Sequence, residues 1–529
     1  MIILGITYMS SRNTAACLIK DGKLVAFSEE ERFNRIKHAP NMFPTNAIEF
    51  CLNRGKVDKS EIDFIAVSQA FGVIDANYRI VLECIENFHS DWKSKTKWYP
   101  HHDCHAISSI IPSKFEQTNY ITADGFGDTN AGVYGYFDGE KLRHFGEIDS
   151  VKSLGGYYSW ITNFLGFRRN SEEGKTMGLA SYGTPNFDLL PEFSIHHEDG
   201  LIECDADGYR DYLESQMNSE LKKKIEENIL CKESVDFAAT AQYYLEKYIF
   251  SYLDKLQSIN EGSVGSKNLC LAGGSFLNCT ANGKISQRED VDKLFIQPAS
   301  NDSGTALGAA ILCYNEITNE WPDVDFLTAY WGSDFSDEYV ETFLKENDIK
   351  YEVVEPAECL AKLIHQDKVV GYFEGRSEVG PRALCHRSIL ANPTKKQNLD
   401  RVNIIKNREF WRPLAPVIAQ ESYSSIVKAN HLSPFMLMAC EVREDWRDRI
   451  PATTHVDNSC RPQSINLYQN PTVHTALIKF RRLTGVPVFM NTSFNVAGEP
   501  LVDSPEDAIR TFNNSGLHAL LINKFLITK

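Results

Sequence analysis

Residues 268–278, NLCLAGGSFLN, carry an apolar run into the pair Gly273-Gly274 and decide the fold class. Residues 120–128, YITADGFGD, repeat this arrangement, with an apolar run that leads into two glycines between two aspartates. Each pattern predicts a strand that enters a turn, where glycine adopts positive φ and exposes backbone N–H groups to phosphate oxygens. One such loop is more often only a tight turn, but two of them favour an α/β nucleotide-binding domain.

The flanking patterns extend this prediction along the chain. Residues 1–27 are typical of a β-hairpin that begins a meander, and residues 237–256 have apolar positions at helical spacing. The pattern weakens at residues 319–334, and a second α/β pattern follows. A chain of 529 residues is too long to fold around a single hydrophobic core, since domains usually span about 100–200 residues. We therefore predict one domain at residues 1–330 and another at 331–529.

The composition argues against several classes of protein. The formal net charge of −16 opposes a broad nucleic-acid surface, because phosphate contacts need clustered Lys and Arg. No run approaches the ~20 apolar residues that span a bilayer, and the N-terminus lacks a secretory signal pattern. Thirteen Cys occur without a CxxC pair, which fits reduced thiols. These features predict a cytoplasmic protein without a nucleic-acid or membrane partner.

Four side chains of the first half are candidate metal ligands. His101 and His105 are four positions apart, so on a helix they share a face and can chelate one divalent metal. Asp124 and Asp302 each lie beside Gly or Ser, where backbone can approach a phosphate or a metal. Two His and two Asp form a mixed shell suited to iron, manganese or zinc. Two surface histidines are the alternative, since HxxxH alone is weak evidence.

Two short stretches of the second half, residues 374–384 and 406–413, contain five cations. Arg binds phosphate or carboxylate bidentately, and Lys acts as a point charge. Ion pairs with neighbouring glutamates would explain a single Arg, but five cations in an acidic protein favour an anion site. Residues 491–495, NTSFN, offer hydroxyl and amide groups, although a capped turn would also explain them. Residues 505–514 are predicted to form a helix with Ser504 as N-cap.

Several motifs follow one another along the chain, including EEERF at 29–33, RIKH at 35–38, HHDCHA at 101–106, DGFGD at 124–128, SLGGYY at 153–158, EGKTMGLASYG at 173–183 and AGGSFLNC at 272–279. In this order they resemble the NodU/CmcH carbamoyltransferases. The first half is similar to the Kae1 family, which implies an actin-like ATPase fold. Lys406-x-Arg408 with Ser493-x-Asn495 is similar to the KxR…SxN pattern of YrdC domains.

The resemblance implies a two-step reaction. Carbamoyl phosphate and ATP would give carbamoyl adenylate in the YrdC-like domain, and the Kae1-like domain would transfer the carbamoyl group to a hydroxyl. The expected metal is iron or another divalent metal, with Mg as a further candidate. The implied metal ligands are His101, His105, Asp124 and Asp302; the implied ligands of carbamoyl phosphate and nucleotide are Arg376, Arg382, Lys406, Arg408, Ser493, Asn495, Lys175, Gly273, Gly274 and Asn278.

Two departures from the family pattern affect these expectations. Relatives usually carry His and Asp in the loop after the first strand, where this chain has Arg12 and Asn13. If that His is the general base, another residue must replace it, and the candidates are His38, His102 and Asp128. The GPRALG pattern ends here in Cys385 rather than Gly, which changes the expected phosphate loop.

The acceptor hydroxyl is left open between sugars, antibiotics and lipo-oligosaccharides. Loop residues set its identity, and residues 188–234 are the expected variable insertion. A homodimer is also left open. A tRNA threonylcarbamoyl-adenosine-type enzyme is one alternative function, which the acidic balance opposes. A non-catalytic nucleotide-binding regulator is another, which the intact HxxxH and KxR…SxN residues oppose.

Overall fold

The computed structural model describes residues 1–8, 13–69, 75–260 and 266–529. The fold is α/β, as predicted. Internal contacts divide the chain into a first unit of Met1–Thr7, Asp21–Lys23 and Ser60–Asp325 and a second unit of Tyr8–Lys20, Leu24–Lys59 and Phe326–Lys529. The change of unit after Asp325 lies near the predicted boundary, whereas two N-terminal segments belong to the second unit. The functional division between residues 1–330 and 331–529 stays a prediction.

The strands follow the apolar runs of the sequence. In chain order they are β1 (Ile2–Thr7), β2 (Ala15–Lys20), β3 (Lys23–Glu29), β4 (Phe64–Gln69), β5 (Thr96–Pro100), β6 (Thr118–Gly127), β7 (Asn130–Phe137), β8 (Leu142–Asp149), β9 (Ser194–His196), β10 (Ile202–Cys204), β11 (Asn268–Ala272), β12 (Lys293–Ile296), β13 (Glu352–Val353), β14 (Val370–Phe373), β15 (Arg387–Ala391), β16 (Ala415–Ala419), β17 (Val427–Lys428), β18 (Cys440–Val442), β19 (Ser459–Cys460), β20 (Gln463–Ile465), β21 (Val488–Ser493), β22 (Ala519–Ile522) and β23 (Phe525–Thr528). The predicted strands at residues 120–123 and 268–272 are confirmed as β6 and β11.

The helices include the two that the sequence patterns predict at residues 237–256 and 505–514. In chain order they are α1 (Glu31–Asn34), α2 (Thr45–Gly55), α3 (Asp75–Phe88), α4 (His101–Ser113), α5 (Leu154–Phe164), α6 (Glu173–Ala180), α7 (Ala206–Ser215), α8 (Glu220–Glu227), α9 (Lys232–Asn260), α10 (Cys279–Ile285), α11 (Thr305–Thr318), α12 (Asp337–Glu346), α13 (Pro356–His365), α14 (Gln397–Ile405), α15 (Tyr423–Ile426), α16 (Glu444–Arg447), α17 (Pro471–Thr484) and α18 (Pro505–Asn513). Residues 237–256 lie within α9. Ser504 caps α18 by accepting a hydrogen bond from the Asp507 amide.

The first unit contains two sets of parallel strands with the same plan. β1, β4 and β5 lie side by side, with Ile3 opposite Phe64. β6, β11 and β12 repeat this arrangement, with Leu269 opposite Asn119. β7 and β8 extend the second sheet from β6 with antiparallel pairing. The two glycine-containing turns of the sequence therefore follow neighbouring parallel strands, β6 and β11.

Helices α4 and α11 pack closely within the first unit. Gly308 on α11 has no room for a side chain, because a Cβ there would lie 1.9 Å from the carbonyl oxygen of Cys104 on α4. The residues of α4 from His101 to Pro112 are buried except Asp103, which is typical of a helix enclosed on most sides. This packing positions the first residue of α4, His101, and Asp302, three residues before α11.

The second unit is built on an eight-stranded sheet in the order β13-β23-β22-β14-β15-β21-β16-β20. Buried apolar side chains cover both of its faces: Tyr372 and Phe489 belong to one layer, and Phe373 and Met490 belong to the other. Neighbouring residues join opposite layers because successive side chains of a strand point to opposite faces. Strand β21 runs inside this sheet and ends at Ser493.

None of the helices in the described ranges has the length and apolar character of a membrane span.

Candidate active site

The structure brings all four predicted metal ligands together in the first unit. One candidate ligand atom from each of His101, His105, Asp124 and Asp302 lies within 4.8 Å of the others. His105 Nε2 is 3.3 Å from Asp124 Oδ2 and 3.7 Å from Asp302 Oδ1. His101 Nε2 is 3.8 Å from the same Asp302 oxygen. Two imidazoles and two carboxylates therefore converge on one point, which we name the His/Asp centre.

Burial and charge make the His/Asp centre suitable for a divalent cation. Both imidazoles are fully buried, and neither ring nitrogen of His101 has a hydrogen-bond partner among the described residues. Leaving a buried polar atom unpaired costs about 1–3 kcal/mol, which a bound metal would remove. Mixed imidazole and carboxylate donors suit iron, manganese or zinc. The donor set thus fits the metal that the family resemblance implies.

The pKa values of the His/Asp centre show how strongly its groups interact. Burial and the neighbouring Asp124 carboxylate raise the pKa of Asp302 above its usual value. Burial, together with the adjacent His105, lowers the pKa of His101 well below its usual value. Burial opposes the charged form of His105, but the two carboxylates outweigh it and raise its pKa to about 9.

A bulge in β6 directs Asp124 into the His/Asp centre. The pairing of β6 with β7 shifts between Ala123 and Gly127, so the intervening residues leave the regular ladder. Ser153, at the start of α5, donates hydrogen bonds to the carbonyl oxygens of Asp124 and Gly125 at 2.9 and 2.7 Å. The sequence predicts a loop at Asp124, whereas the structure keeps the segment within β6, because Gly127 pairs again with Asn130.

Three glycines provide the space that the His/Asp centre needs. A Cβ at Gly127 would lie 2.1 Å from the His101 ring, and one at Gly274 would lie 2.9 Å from Asp124 Oδ1. A Cβ at Gly155 would lie 2.6 Å from the backbone of Asp124. Of these, only Gly274 was predicted as a site residue; Gly127 lies in the motif DGFGD, and Gly155 lies in the motif SLGGYY at residues 153–158.

We expect Gly127→Ala to weaken metal binding about 10- to 100-fold, as changes beside metal ligands commonly do. The added methyl group would displace the His101 imidazole, whose nearest ring atom is 2.1 Å away. Gly125→Ala is the matched control, because a Cβ at Gly125 meets nothing within 4 Å. Metal titration of the apoprotein by calorimetry measures both. Equal affinities of the two variants would contradict this account of Gly127.

The three candidate general bases have different surroundings. Asp128 accepts a hydrogen bond from the His101 amide at 2.7 Å and so caps α4. His102 is buried, with Nδ1 3.1 Å from Thr122 Oγ1, and burial followed by the charge of His105 lowers its pKa to about 4. His38 lies in the second unit, where Nδ1 is 2.9 Å from Asn13 Oδ1. Arg12 lies outside the described residues. The catalytic role of each stays a prediction.

The predicted nucleotide ligands of the first unit already have partners within the protein. Gly273 adopts a φ of 98°, and a Cβ there would lie 2.3 Å from the Ala123 carbonyl oxygen. Asn278 caps α10 and exchanges hydrogen bonds with Gln242. Lys175 forms an ion pair with Glu172 at 2.8 Å. Their contact with a nucleotide stays a prediction.

A second cluster forms in the second unit around Lys406. Its ammonium donates hydrogen bonds to Asn495 Oδ1 at 2.8 Å, to the Asn495 carbonyl oxygen at 2.9 Å and to Ser493 Oγ at 3.2 Å. Ser493 Oγ in turn donates to Asn495 Oδ1 at 2.7 Å. The fold thus brings Lys406, Ser493 and Asn495 of the KxR…SxN pattern together, because Lys406 directly follows α14 and Ser493 ends β21.

Several further cations surround Lys406. Burial lowers its pKa well below the usual value, and the charges of Arg408, Arg412 and Lys37 lower it further. Burial lowers the pKa of Arg408 to about 9, with Arg412 and Arg461 adding to this effect. These cations repel one another, and a bound polyanion would relieve that repulsion, as in sites built for phosphate groups. We name these five residues the cation cluster; Arg461 and Lys37 were not among the predicted site residues.

Residues of the loop that follows β14 already have hydrogen-bond partners within the protein. Arg376 donates hydrogen bonds to backbone carbonyl oxygens, including those of Val25 at 2.9 Å and Gly332 at 3.1 Å. Glu378 organises the loop, since its Oε1 accepts hydrogen bonds from the amides of Leu384, His386 and Arg387 at 2.7, 2.8 and 3.1 Å. The structure therefore gives Arg376 backbone partners, and Arg382 is partly buried. Phosphate binding by these two residues stays a prediction.

The fold, the His/Asp centre and the cation cluster define an α/β enzyme with groups suited to a cation and to anions. A family model described as Carbamoyltransferase N-terminus matches residues 2–92 and 79–311, and one described as Carbamoyltransferase C-terminus matches residues 361–529. The chain belongs to the carbamoyltransferase family, and it is a transferase, as the sequence predicts.

Curated relatives share the family over most of their length. The nodulation protein NolNO of Sinorhizobium fredii is 35% identical, over 97% of this chain and 78% of that protein. The nodulation protein NolO of Bradyrhizobium diazoefficiens is 34% identical, over 81% of this chain and 78% of that protein. Nodulation protein U of Rhizobium tropici is 26% identical, over 92% of this chain and 89% of that protein.

Proposed function

We propose that this enzyme is an ATP-dependent O-carbamoyltransferase. It forms carbamoyl adenylate from carbamoyl phosphate and ATP, and it transfers the carbamoyl group to a hydroxyl of a small molecule. The observation that carries the first step is the cation cluster, with Lys406 held by Ser493 and Asn495. The proposal includes an actin-like, Kae1-like first domain, a YrdC-like second domain and a cytoplasmic location.

The cation cluster would serve the activation step. Carbamoyl phosphate and the triphosphate of ATP both carry several negative charges, so fixed cations offset their repulsion when they meet. Arg408, Arg412 and Arg461 supply planar guanidinium groups that bind phosphate oxygens bidentately. Formation of carbamoyl adenylate consumes one water and releases phosphate and pyrophosphate. Pyrophosphate is therefore the direct product by which this step is measured.

The His/Asp centre would serve the transfer step. Iron or another divalent metal bound by His101, His105, Asp124 and Asp302 would supply Lewis acidity toward the adenylate phosphate. The protein contributes the orientation of these ligands: Asp128 fixes the start of α4, and Ser153 fixes the segment at Asp124. Burial of both imidazoles limits the access of water to their ring nitrogens.

The acceptor is proposed as a hydroxyl-bearing small molecule, with sugars, antibiotics and lipo-oligosaccharides as its candidate classes. Incubation with labelled carbamoyl phosphate, ATP and a panel of such acceptors tests this. Pyrophosphate release with transfer of label to one class is the expected result. Loss of activity after RNase treatment would favour the tRNA-type enzyme instead, and the absence of pyrophosphate release would favour the non-catalytic regulator.

A further inference from the structure

Two cysteines of the second unit face each other across neighbouring strands. Cys440 on β18 and Cys460 on β19 lie directly opposite each other in an antiparallel pair. Side chains of opposite residues project from the same face of a sheet, so the two thiols are neighbours. Both residues are buried, at 6% and 4% exposed, and belong to one layer of the apolar core. The proposed function uses neither thiol.

The hydrogen bonding between β18 and β19 sets the distance between the two cysteines. The Val442 amide donates to the Asn458 carbonyl oxygen at 2.9 Å, so these residues form a hydrogen-bonded pair. Pair types alternate along an antiparallel ladder, so Cys440 and Cys460, two positions further, form the same type, with Cα atoms about 5.5 Å apart. A disulfide spans Cα separations of about 4.4–6.8 Å. The backbone therefore already has the spacing that a disulfide needs.

The Tyr423 hydroxyl lies beside the same two thiols. Its oxygen is 3.8 Å from Cys440 Sγ. Burial raises the pKa of Tyr423, and the nearby Cys440 and Cys460 raise it further. The phenol thus keeps its proton and can donate it in a hydrogen bond to a neighbouring sulfur. Such a donor favours the thiolate, which is the form of cysteine that reacts with oxidants.

The position of Arg461 connects the two cysteines with the cation cluster. Arg461 directly follows Cys460, and its charge contributes to the lowered pKa of Arg408. Opposite Cβ atoms in a sheet are about 4.5–5.5 Å apart, whereas those of a disulfide are about 3.8 Å apart, so bond formation draws the strands together by about 1 Å. Functional sites tolerate displacements of only about 0.5 Å. A disulfide would therefore move Arg461 away from its place in the cation cluster.

We propose that Cys440 and Cys460 are a redox modification site, at which a peroxide forms a disulfide that slows the activation step. One thiol attacks the O–O bond of the peroxide and becomes a sulfenic acid, with release of one water. The second sulfur then displaces the hydroxyl as another water, and the S–S bond forms. Two thiols are oxidised, and one hydrogen peroxide is reduced to two waters. A thiol reductant reverses the bond, as in other transient, redox-sensing disulfides.

Peroxide treatment of the full-length, metal-loaded enzyme tests the proposal. Hydrogen peroxide is added and then removed with catalase, peptide mass spectrometry locates disulfides, and pyrophosphate release is measured before and after dithiothreitol. We expect a Cys440–Cys460 disulfide in the wild type and pyrophosphate release about tenfold lower, as for one lost contact with a charged group. Dithiothreitol should restore the rate.

Two cysteine variants serve as controls for this experiment. Cys440→Ser cannot form the disulfide, so it should keep its pyrophosphate release after peroxide. Cys359→Ser removes a half-buried cysteine of the same unit and should respond like the wild type. Thermal stability of the untreated variants checks their folding, and Cys460→Ala replaces Cys440→Ser if that variant does not fold.

The outcomes separate the disulfide from its effect. Absence of the Cys440–Cys460 disulfide in the treated wild type would overturn the proposal. A disulfide without a fall in pyrophosphate release, or an equal fall in Cys440→Ser, would overturn its link to the cation cluster. The effect on activation rests on the proposed function, whereas the mass spectrum needs no catalysis. An untreated wild type that releases no pyrophosphate would therefore refute the proposed function, and the mass spectrum would still decide the disulfide.

Discussion

Replacement of His101 by alanine is expected to abolish carbamoyl transfer, by about 100-fold or more, while pyrophosphate release stays largely intact. His101 supplies one of the four groups of the His/Asp centre, and both of its ring nitrogens are buried without a partner among the described residues. Its loss removes a proposed metal ligand. The cation cluster, which belongs to the second unit, keeps its own residues.

Two assays on the same preparation check this expectation. Transfer of labelled carbamoyl groups and release of pyrophosphate are measured in parallel, with metal content determined for each sample. His196→Ala is the control, because His196 is an exposed histidine of the first unit outside the His/Asp centre. An equal loss of both partial reactions in His101→Ala would contradict the separation of the two steps.

Replacement of Lys406 by methionine is expected to lower pyrophosphate release about 100-fold, and overall transfer should fall in parallel. Methionine keeps the buried volume of the side chain but removes the charge that contacts Ser493 and Asn495. A hydrogen bond to a charged group contributes about 1.5–3 kcal/mol, which corresponds to roughly 10- to 150-fold. The loss of attraction to the phosphates adds to this effect.

Lys428→Met provides the comparison for Lys406→Met. Lys428 lies in the same unit, with a largely exposed side chain that pairs with Glu441. Exposed pairs of this kind contribute about 0–1 kcal/mol, so the control should retain both activities. Normal pyrophosphate release by Lys406→Met, with unchanged thermal stability, would show that the cation cluster does not serve the activation step.

The local parts of the site could be predicted from the sequence because their geometry repeats over a few residues. His101 and His105 share a face of α4 because a helix completes a turn in 3.6 residues. Asp124 directly follows the apolar run at residues 120–123 of β6, and Ser493 is the last residue of β21. The apolar runs of the sequence indicate both positions. Lys406 also meets Ser493 and Asn495; this contact is not local, and only the resemblance to the KxR…SxN pattern of YrdC domains linked these residues in advance.

Other features depend on packing between distant segments, which no residue spacing reveals. Arg461 and Lys37 join the cation cluster from positions far from Lys406 in the chain. Glycine is required at residues 127 and 155 because a Cβ at Gly127 would overlap the His101 ring and a Cβ at Gly155 would overlap the backbone of Asp124. The hydrogen bonds of Arg376 go to carbonyl oxygens that no motif identifies.

The sequence by itself determined the α/β class, the carbamoyltransferase family and the four residues of the His/Asp centre, since ordered motifs and residue spacing are properties of the chain alone. Only the tertiary structure decided which polar groups already have partners in the protein: Lys175 is paired with Glu172, whereas Asn491 Oδ1 has none among the described residues. The physical reason is that burial and hydrogen-bond partners arise from contacts between residues far apart in the sequence.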